Sequence, residues 1–511
     1  MLVNAPDVSP WAILLTFFWP AADTSLAVYR RLRRNADVSA PDRLHIHQIM
    51  MRGLEICVLG QNRRQISNPL TTLVLAPFVI APPITGVLLW NQNWNAFLAV
   101  LAFGLLLFVV YAAAPNLIRR FRRIPVGDPG LLFLGDAGAY GRHQRKYSAM
   151  KIALLGTVGV PGRYGGFETL AENLVKHHAH TGSASVLTVW CSSKDNATRP
   201  TSFQSANLRY VGLKANGVQS ILYDVLGLLD AIRTGHNQIL LLGVSGAMTL
   251  PLIRIFSRAR IVTNIDGIEW KREKWNSLAR AFLRASEWAA VRFSHEVIAD
   301  NQAVAEHVRK IYGANCHVIA YGGDHALSHD SGGKTPEELP KGYALAICRI
   351  EPENNVHTIL EAFSSLETPL VFVGNWGNSA YGQELKARYG AMSNLHILDP
   401  IYDPDTLYAL RRRASIYVHG HSAGGTNPSL VEMMYFGVPV LAHGCNFNRY
   451  STEDRALYFM NPDELVALVQ NLPTEDANEI GNNMQEIARR RYTWDQIGEA
   501  YFALLEDRQQ K

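Results

Sequence analysis

The hydrophobic pattern divides the chain into two parts. Before about residue 120, the apolar residues form three long runs, Trp11–Val28, Pro69–Trp90 and Ala96–Ile118. After Met150 they form short runs that alternate with segments of helical spacing. The first pattern is typical of membrane helices, and the second is typical of a soluble α/β protein.

Two of the long runs predict membrane-spanning helices. At about 1.5 Å per residue, Pro69–Trp90 and Ala96–Ile118 each cross a hydrocarbon layer of about 30 Å. The link between them, residues 91–95, is uncharged, whereas arginines cluster on both outer flanks. The positive-inside rule therefore places both flanks in the cytoplasm. The first run is interrupted by Pro20 and Asp23, and a buried helical hairpin in a soluble protein is the alternative.

Charge and cysteine content narrow the function classes. The formal net charge is +5, and much of it comes from arginines beside the apolar runs. We therefore interpret this positive charge as a signal of membrane topology rather than of nucleic-acid binding. The five cysteines, Cys57, Cys191, Cys316, Cys348 and Cys445, form no CxxC pair, which argues against a zinc site and a disulfide framework. The first ten residues lack the basic region of a secretory signal.

The second part opens with alternating strand and helix patterns. Predicted strands are Lys151–Leu155, Val186–Cys191, Ile239–Gly243, Ala259–Thr263 and Glu296–Ala299, and predicted helices are Leu170–His177, Ser220–Arg233, Ser277–Phe293 and Gln302–Tyr312. Such units predict a parallel sheet with its ligand crevice at the carboxyl ends of the strands. The glycine-rich loop Gly156–Thr169 fits neither GxGxxG nor the Walker pattern, which argues against a nicotinamide cofactor and ATP. A tight turn is the alternative for this loop.

A second motif, residues 264–275, follows the Ala259 strand. It contains the acids Asp266 and Glu269 together with Gly267, Trp270 and several basic residues. Carboxylates that bind hydroxyl groups and aromatic faces that stack on sugar rings fit a sugar site. The alternative is a solvated helix start with Asp266 as the N-cap.

A second series of strands follows a polar segment, residues 325–341, that suits a hinge. The predicted strands are Leu345–Cys348, Leu370–Val373, His396–Leu398, Ile416–Val418 and Val440–Ala442. Arg349 directly follows the first of them, where a guanidinium can hold a diphosphate bidentately. Repetition of the same pattern predicts a second Rossmann-like domain.

A further glycine-rich segment, His419–Thr426, leads into a predicted helix. Asn427 suits the N-cap and Pro428 the first helical position, so free N–H groups face an anion. Glu432 lies one turn later, where it can accept hydrogen bonds from ribose hydroxyls. The alternative for Glu432 is an acid favoured by the helix dipole.

These motifs together resemble the retaining GT-B glycosyltransferases whose mark is two glutamates separated by seven residues. Glu432 matches the second glutamate, but Gly424 stands at the first position and Asn354 stands where the family usually has lysine. One subgroup of the family shows both departures, and it resembles bacterial rhamnosyltransferases. The resemblance covers residues ~150–508, including Tyr164-Gly-Gly-Phe-Glu-Thr, Asp266-Gly-Ile-Glu-Trp-Lys and Gly424-Gly-Thr-Asn-Pro-Ser-Leu-Val-Glu.

The resemblance implies an α/β GT-B fold, with two Rossmann-like domains across a cleft, preceded by an α-helical transmembrane region. It implies transfer of a hexose, L-rhamnose from dTDP-rhamnose, with retention and without a metal or cofactor, to a lipid-linked sugar in cell-surface polysaccharide synthesis. Asp266 then positions the acceptor, and Arg349 neutralises the diphosphate. The expected catalytic residues are Glu432, Asp266 and Arg349; the donor-binding residues are Gly165, Gly166, Gly424, Gly425, Thr426, Asn427, Pro428 and Ser429; the acceptor-binding residues are Glu168, Glu269, Trp270 and Lys271.

A second resemblance covers residues ~10–110. Pro20-Ala-Ala-Asp23, Arg30-Arg31 and Pro41-Asp-Arg-Leu-His-Ile-His47 are similar to the tail of the polyprenyl-phosphate N-acetylhexosamine-1-phosphate transferases. The aspartate pair of that family has no counterpart before Pro20, so we interpret this part as an anchoring remnant. His45 and His47 as metal ligands are the alternative, without a third ligand nearby.

The expected organisation is a membrane-anchoring segment (1–118), a basic linker (119–149), an acceptor domain (150–324), a donor domain (325–490) and a crossover helix (491–511). We expect a bacterial inner-membrane protein with its catalytic part in the cytoplasm, whose partners are a nucleotide sugar, a lipid-linked acceptor and the membrane, but no nucleic acid. A nucleotide-sugar epimerase of the same fold and a non-catalytic lipid-binding scaffold are the alternatives.

Overall fold

The computed structural model describes residues 7–33, 45–55, 64–121, 150–162, 165–272, 275–328 and 339–506. It divides the chain into two compact units, Met1–Tyr140 and Gly141–Lys511. Arg163, Tyr164 and most of the expected linker therefore lie outside the described residues.

The N-terminal unit is helical. Its helices are α1 (Pro10–Thr16), α2 (Phe18–Arg33), α3 (Ile46–Leu54), α4 (Arg64–Leu88) and α5 (Asn93–Phe121). By length and composition α4 and α5 can each cross a membrane. Helices α1 and α2 form an apolar pair bent by 81°, which has the pattern of a broken span or of a re-entrant loop. Helix α2 runs through Pro20 and Asp23, the two residues that interrupt the first apolar run, and the bend lies at Phe17. Pro20 falls in the first turn of α2, where its missing N–H is not needed.

Asp23 connects two helices of this unit. Its carboxylate accepts a hydrogen bond from the backbone N–H of Ile46 at 3.3 Å and lies 2.8 Å from Nδ1 of His45. Asp23 therefore holds the start of α3. In the described part of the chain, no group of three or more His, Cys, Asp or Glu residues is arranged to hold a metal ion.

The second unit opens with an eight-stranded sheet. Its elements are β1 (Lys151–Leu155), α6 (Gly166–Thr181), β2 (Val186–Ser192), β3 (Ser202–Phe203), β4 (Ala206–Val211), α7 (Gln219–Arg233), β5 (Gln238–Leu242), α8 (Leu250–Phe256), β6 (Arg260–Asn264), α9 (Ser277–Phe293), β7 (Glu296–Ala299), α10 (Gln302–Tyr312) and β8 (His317–Val318). The strand order is β3-β4-β2-β1-β5-β6-β7-β8, parallel except for the β3–β4 pair. The central strands are buried on both faces, which explains their unbroken apolar sequences.

A six-stranded parallel sheet follows. Its elements are β9 (Tyr343–Ile347), α11 (Val356–Ser364), β10 (Leu370–Val373), α12 (Ala380–Tyr389), β11 (Leu395–Leu398), α13 (Pro404–Arg413), β12 (Ala414–His419), α14 (Pro428–Met434), β13 (Val440–His443), α15 (Asn446–Thr452), β14 (Leu457–Phe459), α16 (Pro462–Gln470), α17 (Thr474–Arg491) and α18 (Trp494–Glu506). The strand order is β11-β10-β9-β12-β13-β14.

The last helix returns to the first sheet. Helix α18 packs on α6 and β5, and Asn264 at the end of β6 donates its side-chain amide to the Tyr501 hydroxyl at 2.6 Å. The backbone N–H of Trp494 donates to Asp324 Oδ1 at 2.9 Å. The chain thus joins its two sheet domains twice, through residues 319–342 and through the start of α18.

Candidate active site

The loops that leave the two sheets touch backbone to backbone. Gly267 follows β6 and lies on Gly424, where a Cβ on Gly267 would come within 2.7 Å of a Gly424 backbone atom. A Cβ on Gly425 would collide with the carboxylate of Asp300, which follows β7. A side chain at Gly267 would therefore require the facing loop to move, and one at Gly425 would require Asp300 to move.

Asp300 forms a direct link across this contact. Its Oδ2 accepts the backbone N–H of Thr426 at 3.1 Å, and its backbone carbonyl accepts the Thr426 hydroxyl. Burial, followed by the charge of Asp266, raises the pKa of Asp300 to about 8. Its Oδ1 has no hydrogen-bond partner within the described residues. Sequence reasoning missed Asp300, although it directly follows a predicted strand at the expected ligand edge.

Asp266 lies beside Asp300 at the same edge of the first sheet. Its backbone adopts a positive φ of 60°, and it is not an N-cap, which excludes that alternative. Burial raises the pKa of Asp266, and the nearby Glu269 raises it further, while Arg272 and Arg349 act in the opposite direction. The two aspartates are therefore a coupled acidic pair that faces the glycine loop.

Glu432 is held by two residues from outside its own helix. Its Oε2 pairs with Arg411 of α13, and its Oε1 lies 3.2 Å from Nε2 of His325. The indole N–H of Trp494 donates to His325 Nδ1 at 2.9 Å, so Nε2 carries the proton that His325 donates to Glu432. Burial alone would raise the pKa of Glu432, but Arg411 and His325 outweigh it and lower the pKa.

Two arginines from opposite domains converge on one carboxylate. Arg349 Nη1 lies 3.8 Å from Glu351 Oε1, and Arg272 Nη1 lies 3.9 Å from Glu351 Oε2. Asn354 donates its side-chain amide to the Arg349 carbonyl at 2.7 Å and is buried. Asn354 therefore braces the loop, and the cationic groups at this corner are Arg272 and Arg349.

Two neutral histidines line the same corner. The rings of His419 and His421 stack with centroids 4.4 Å apart. Burial lowers the pKa of His419 to about 3, and burial, His419 and the two arginines lower the pKa of His421. Nδ1 of His421 has no partner in the described part of the chain, so this ring can bind a polar group without adding charge.

The expected donor-binding residues lie where the two domains face each other. Gly165 caps α6 with a φ of 124°, and a Cβ on Gly166 would meet Pro428 at 3.8 Å. Asn427 is the N-cap of α14, with Pro428 in its first turn, as predicted, and accepts the Ser429 backbone N–H at 3.1 Å. The amides of Thr426 and Ser429 are thus already bonded, and an anion could bind the Thr426 amide only by displacing Asp300. The role of these residues in donor binding stays a prediction.

The first glycine loop is held by carboxylates of α6. Glu168 accepts the backbone N–H of Val158 at 2.9 Å, and Glu172 accepts that of Gly162 at 2.8 Å. Burial raises the pKa of Glu168 despite these hydrogen bonds. The carboxylate of Glu168, expected to bind the acceptor, is therefore engaged in shaping the loop.

The other expected acceptor residues follow Asp266 in the chain and contact neighbouring side chains. Glu269 Oε2 pairs with Arg272 Nε at 2.7 Å, and Glu269 Oε1 accepts the indole N–H of Trp275 at 3.2 Å. Trp270 donates its indole N–H to Glu287 at 3.1 Å, with Lys271 Nζ 5.7 Å from its ring centroid. Their role as acceptor ligands stays a prediction.

Comparison with known families assigns the domain that carries Arg349 and Glu432. Residues 332–491 match the family described as glycosyl transferases group 1. The second domain is a glycosyltransferase group 1 domain. Residues 149–324 match a family described as a domain of unknown function (DUF1972), and no curated protein matches the chain. The assignment supports general glycosyl transfer.

Solved structures show the fold of the part of the chain that contains the two sheets. Sucrose-phosphate synthase from Thermosynechococcus elongatus is 13% identical with a TM-score of 0.56, over 70% of this chain and 98% of that one. HepE from Anabaena, in complex with UDP and glucose, is 18% identical with a TM-score of 0.52, over 70% of this chain and 100% of that one. The α/β fold is therefore GT-B-like, as the sequence predicted.

Proposed function

We propose that this glycosyltransferase moves L-rhamnose from dTDP-rhamnose, with retention, to a lipid-linked sugar during synthesis of a cell-surface polysaccharide. The site is the cleft between its two sheet domains, on the cytoplasmic side of a bacterial inner membrane. The observation that carries the proposal is the convergence of Arg272 and Arg349, from opposite domains, beside Asp266.

The arginines suit a diphosphate leaving group. The Nη1 atom of each arginine lies nearly 4 Å from Glu351, too far for a good hydrogen bond, so these N–H groups remain available to phosphate oxygens. The Nε of Arg272 stays paired with Glu269 at 2.7 Å. Fixed positive charge at the leaving group stabilises the charge that develops as the glycosidic bond breaks. HepE, a structural neighbour, was solved with UDP and glucose, which supports a nucleotide-sugar donor here.

Glu432 suits the nucleoside end of the donor. Arg411 and His325 keep its carboxylate ionised and fixed, and each oxygen has only one partner among the described residues. A carboxylate oxygen accepts about two hydrogen bonds, so both oxygens retain capacity for ribose hydroxyls. This role requires that Glu432 act as an anion, which its lowered pKa supports.

Asp266 suits the acceptor. It lies at the carboxyl edge of the first sheet, next to the arginines that hold the diphosphate. In the proposed reaction the leaving phosphate takes the proton of the acceptor hydroxyl, and Asp266 accepts a hydrogen bond that orients this hydroxyl. The acceptor is lipid-linked because the same chain carries α4 and α5, which have the length and composition of membrane spans.

A donor screen tests the proposal. The full chain would be incubated with membrane lipid extract and labelled dTDP-rhamnose, UDP-glucose or UDP-N-acetylglucosamine. Label in the lipid fraction from dTDP-rhamnose supports the proposal. An epimerised nucleotide sugar without lipid label would indicate an epimerase, and a folded protein that gives neither product would indicate a non-catalytic scaffold.

A further inference from the structure

Helix α7 of the first sheet domain is apolar on the face that points away from the sheet. Its inner face is buried through Tyr223, Gly227, Leu228 and Ala231. On the outer face, Leu222, Leu226 and Leu229 are exposed, and Val218, just before the helix, is 88% exposed. Several large apolar side chains exposed together on one helix face indicate a contact surface.

A second exposed stripe lies on the neighbouring segment. Met248, Leu252 and Phe256 follow each other at helical spacing, and Phe256 is 83% exposed. The crossovers from β4 to β5 and from β5 to β6 run in the same direction, so right-handed connections put α7 and α8 on one side of the sheet. Gly246 packs on α7, where a Cβ would lie 2.6 Å from Asp224 Cβ, so the two stripes are neighbours.

Exposed basic residues flank these stripes along the chain. Lys214 precedes Val218, Arg233 lies in the last turn of α7, and Arg258 follows Phe256. The acids of α7 are the buried Asp224 and Asp230, whose partly exposed carboxylate is paired with Arg209. Large apolar side chains surrounded by basic groups fit a surface that is anionic outside and apolar beneath.

We propose that this face, the outer surface of α7 and α8, docks the glycosyltransferase on an anionic lipid bilayer. The apolar side chains enter the interface, and the surrounding lysine and arginine side chains contact lipid phosphates. A second copy of the same face is disfavoured because it would bring like charges together. The inference rests on the proposed membrane attachment of the chain through α4 and α5, but not on the donor or the reaction.

Docking through this face also orients the cleft relative to the membrane surface. Helices α7 and α8 follow strands whose carboxyl ends form the cleft, so Val218 and Met248 lie towards the end of the domain that carries Asp266. Docking through this face brings the acceptor side of the cleft close to the lipid headgroups, where a lipid-linked sugar is presented.

The test is photolabelling from within the bilayer. The full chain would be placed in nanodiscs of phosphatidylcholine, with and without phosphatidylglycerol, and labelled with a membrane-soluble diazirine. Peptides would then be mapped by mass spectrometry. We expect labelling of residues 218–229 and 248–256, stronger in anionic discs, as well as of α4 and α5.

A matched pair of variants separates docking from general damage. Leu222→Glu with Leu226→Glu should lower labelling of α7 by about tenfold or more, since two apolar anchors become charged. Met392→Glu with Met460→Glu changes two exposed methionines of the other domain and should leave α7 labelling unchanged.

If α4 and α5 are labelled but wild-type α7 carries only background label, the proposal that α7 and α8 dock on the bilayer would be overturned. Slow hydrogen exchange of an unlabelled α7 would likewise overturn it, in favour of a protein partner. Label in α7 alone would support docking and instead contradict the membrane spans.

Discussion

Asp300 accepts the backbone N–H of Thr426 across the cleft, with Oδ2 and N 3.1 Å apart. The carboxyl group of one domain therefore occupies an amide of the loop that is expected to hold the donor phosphate in the other. Its pKa of about 8 means that Asp300 is mostly protonated at neutral pH in this closed arrangement.

The first prediction concerns pH and Asp300. A raised carboxyl pKa favours the folded, closed state below the ordinary value near 4, and this contribution is lost as pH rises towards about 8. Asp300→Asn should therefore flatten the fall in unfolding free energy between about pH 5 and 8, by up to about 1.4 kcal/mol per pH unit. Urea unfolding across this range measures the slope.

Asp224 provides the matched control for this measurement. It is buried in α7, its pKa is also raised to about 8 by burial, and it lies away from Thr426. Asp224→Asn should flatten the slope similarly but leave the donor KM unchanged, whereas Asp300→Asn should change both. An unchanged pH profile in Asp300→Asn would contradict the assignment of its pKa.

The second prediction concerns the Glu432–Arg411 pair. Glu432→Ala should abolish transfer, but it also leaves the Arg411 guanidinium buried without its partner, at a cost of about 3 kcal/mol of stability. Glu432→Gln keeps the shape and should still lower kcat/KM more than tenfold. Retention of more than about a tenth of the wild-type value, a loss below about 1.4 kcal/mol, would make Glu432 a structural residue.

The third prediction concerns Arg349. Arg349→Lys replaces a planar fork with a point charge and should raise the donor KM by about tenfold, with less effect on the acceptor KM. Arg388→Lys, on the surface helix α12, is the control and should change neither. Equal donor kinetics for the two variants would exclude Arg349 as a diphosphate ligand.

The fourth prediction concerns the close approach of the loops. Gly425→Ala should force the domains apart because the added methyl group would collide with Asp300. Gly377→Ala meets no atom within 4 Å and is the control. Small-angle scattering should show a larger radius of gyration for Gly425→Ala alone, and Asp300→Ala in the same chain should partly reverse it. An unchanged radius would show that the loops yield locally.

The fifth prediction concerns the N-terminal unit. A protein that starts at Met150 should be soluble, bind the nucleotide sugar and act on detergent-dispersed acceptor, because the two units are compact by themselves. It should lose rate mainly on native membranes, where anchoring raises the local concentration. His45→Ala with His47→Ala in the full chain should leave transfer nearly unchanged. A folded, donor-binding fragment that cannot transfer to dispersed acceptor would place part of the acceptor site before residue 150.

Local patterns account for much of the fold. The predicted helices Ser277–Phe293 and Gln302–Tyr312 agree with the structure to the residue, because Asn276 and Asn301 cap them with their side chains. The strand Leu370–Val373 also agrees, since it is buried throughout. β4 was missed because it is only partly buried, and its polar and apolar residues alternate. The domain boundaries stay predictions.

The site was less accessible to sequence reasoning. Arg349 and Glu432 follow local signals, namely a strand end and a helix start. Asp300 and Arg411 gain their roles from residues far along the chain, Thr426 and Glu432, and no local spacing indicates such a contact. The hydrogen bond of Glu168 with the Val158 backbone depends on how the loop folds back, which the sequence does not indicate. The role of Glu168 at the acceptor stays a prediction.

The most direct test of the central claim is the product formed by the full chain from labelled dTDP-rhamnose and a purified lipid-linked sugar. NMR of the released product would show whether rhamnose is attached and in which anomeric configuration. We expect transfer with the anomeric configuration of the donor kept, and loss of transfer in Glu432→Gln. An inverted product, or transfer that Glu432→Gln leaves at the wild-type rate, would contradict it.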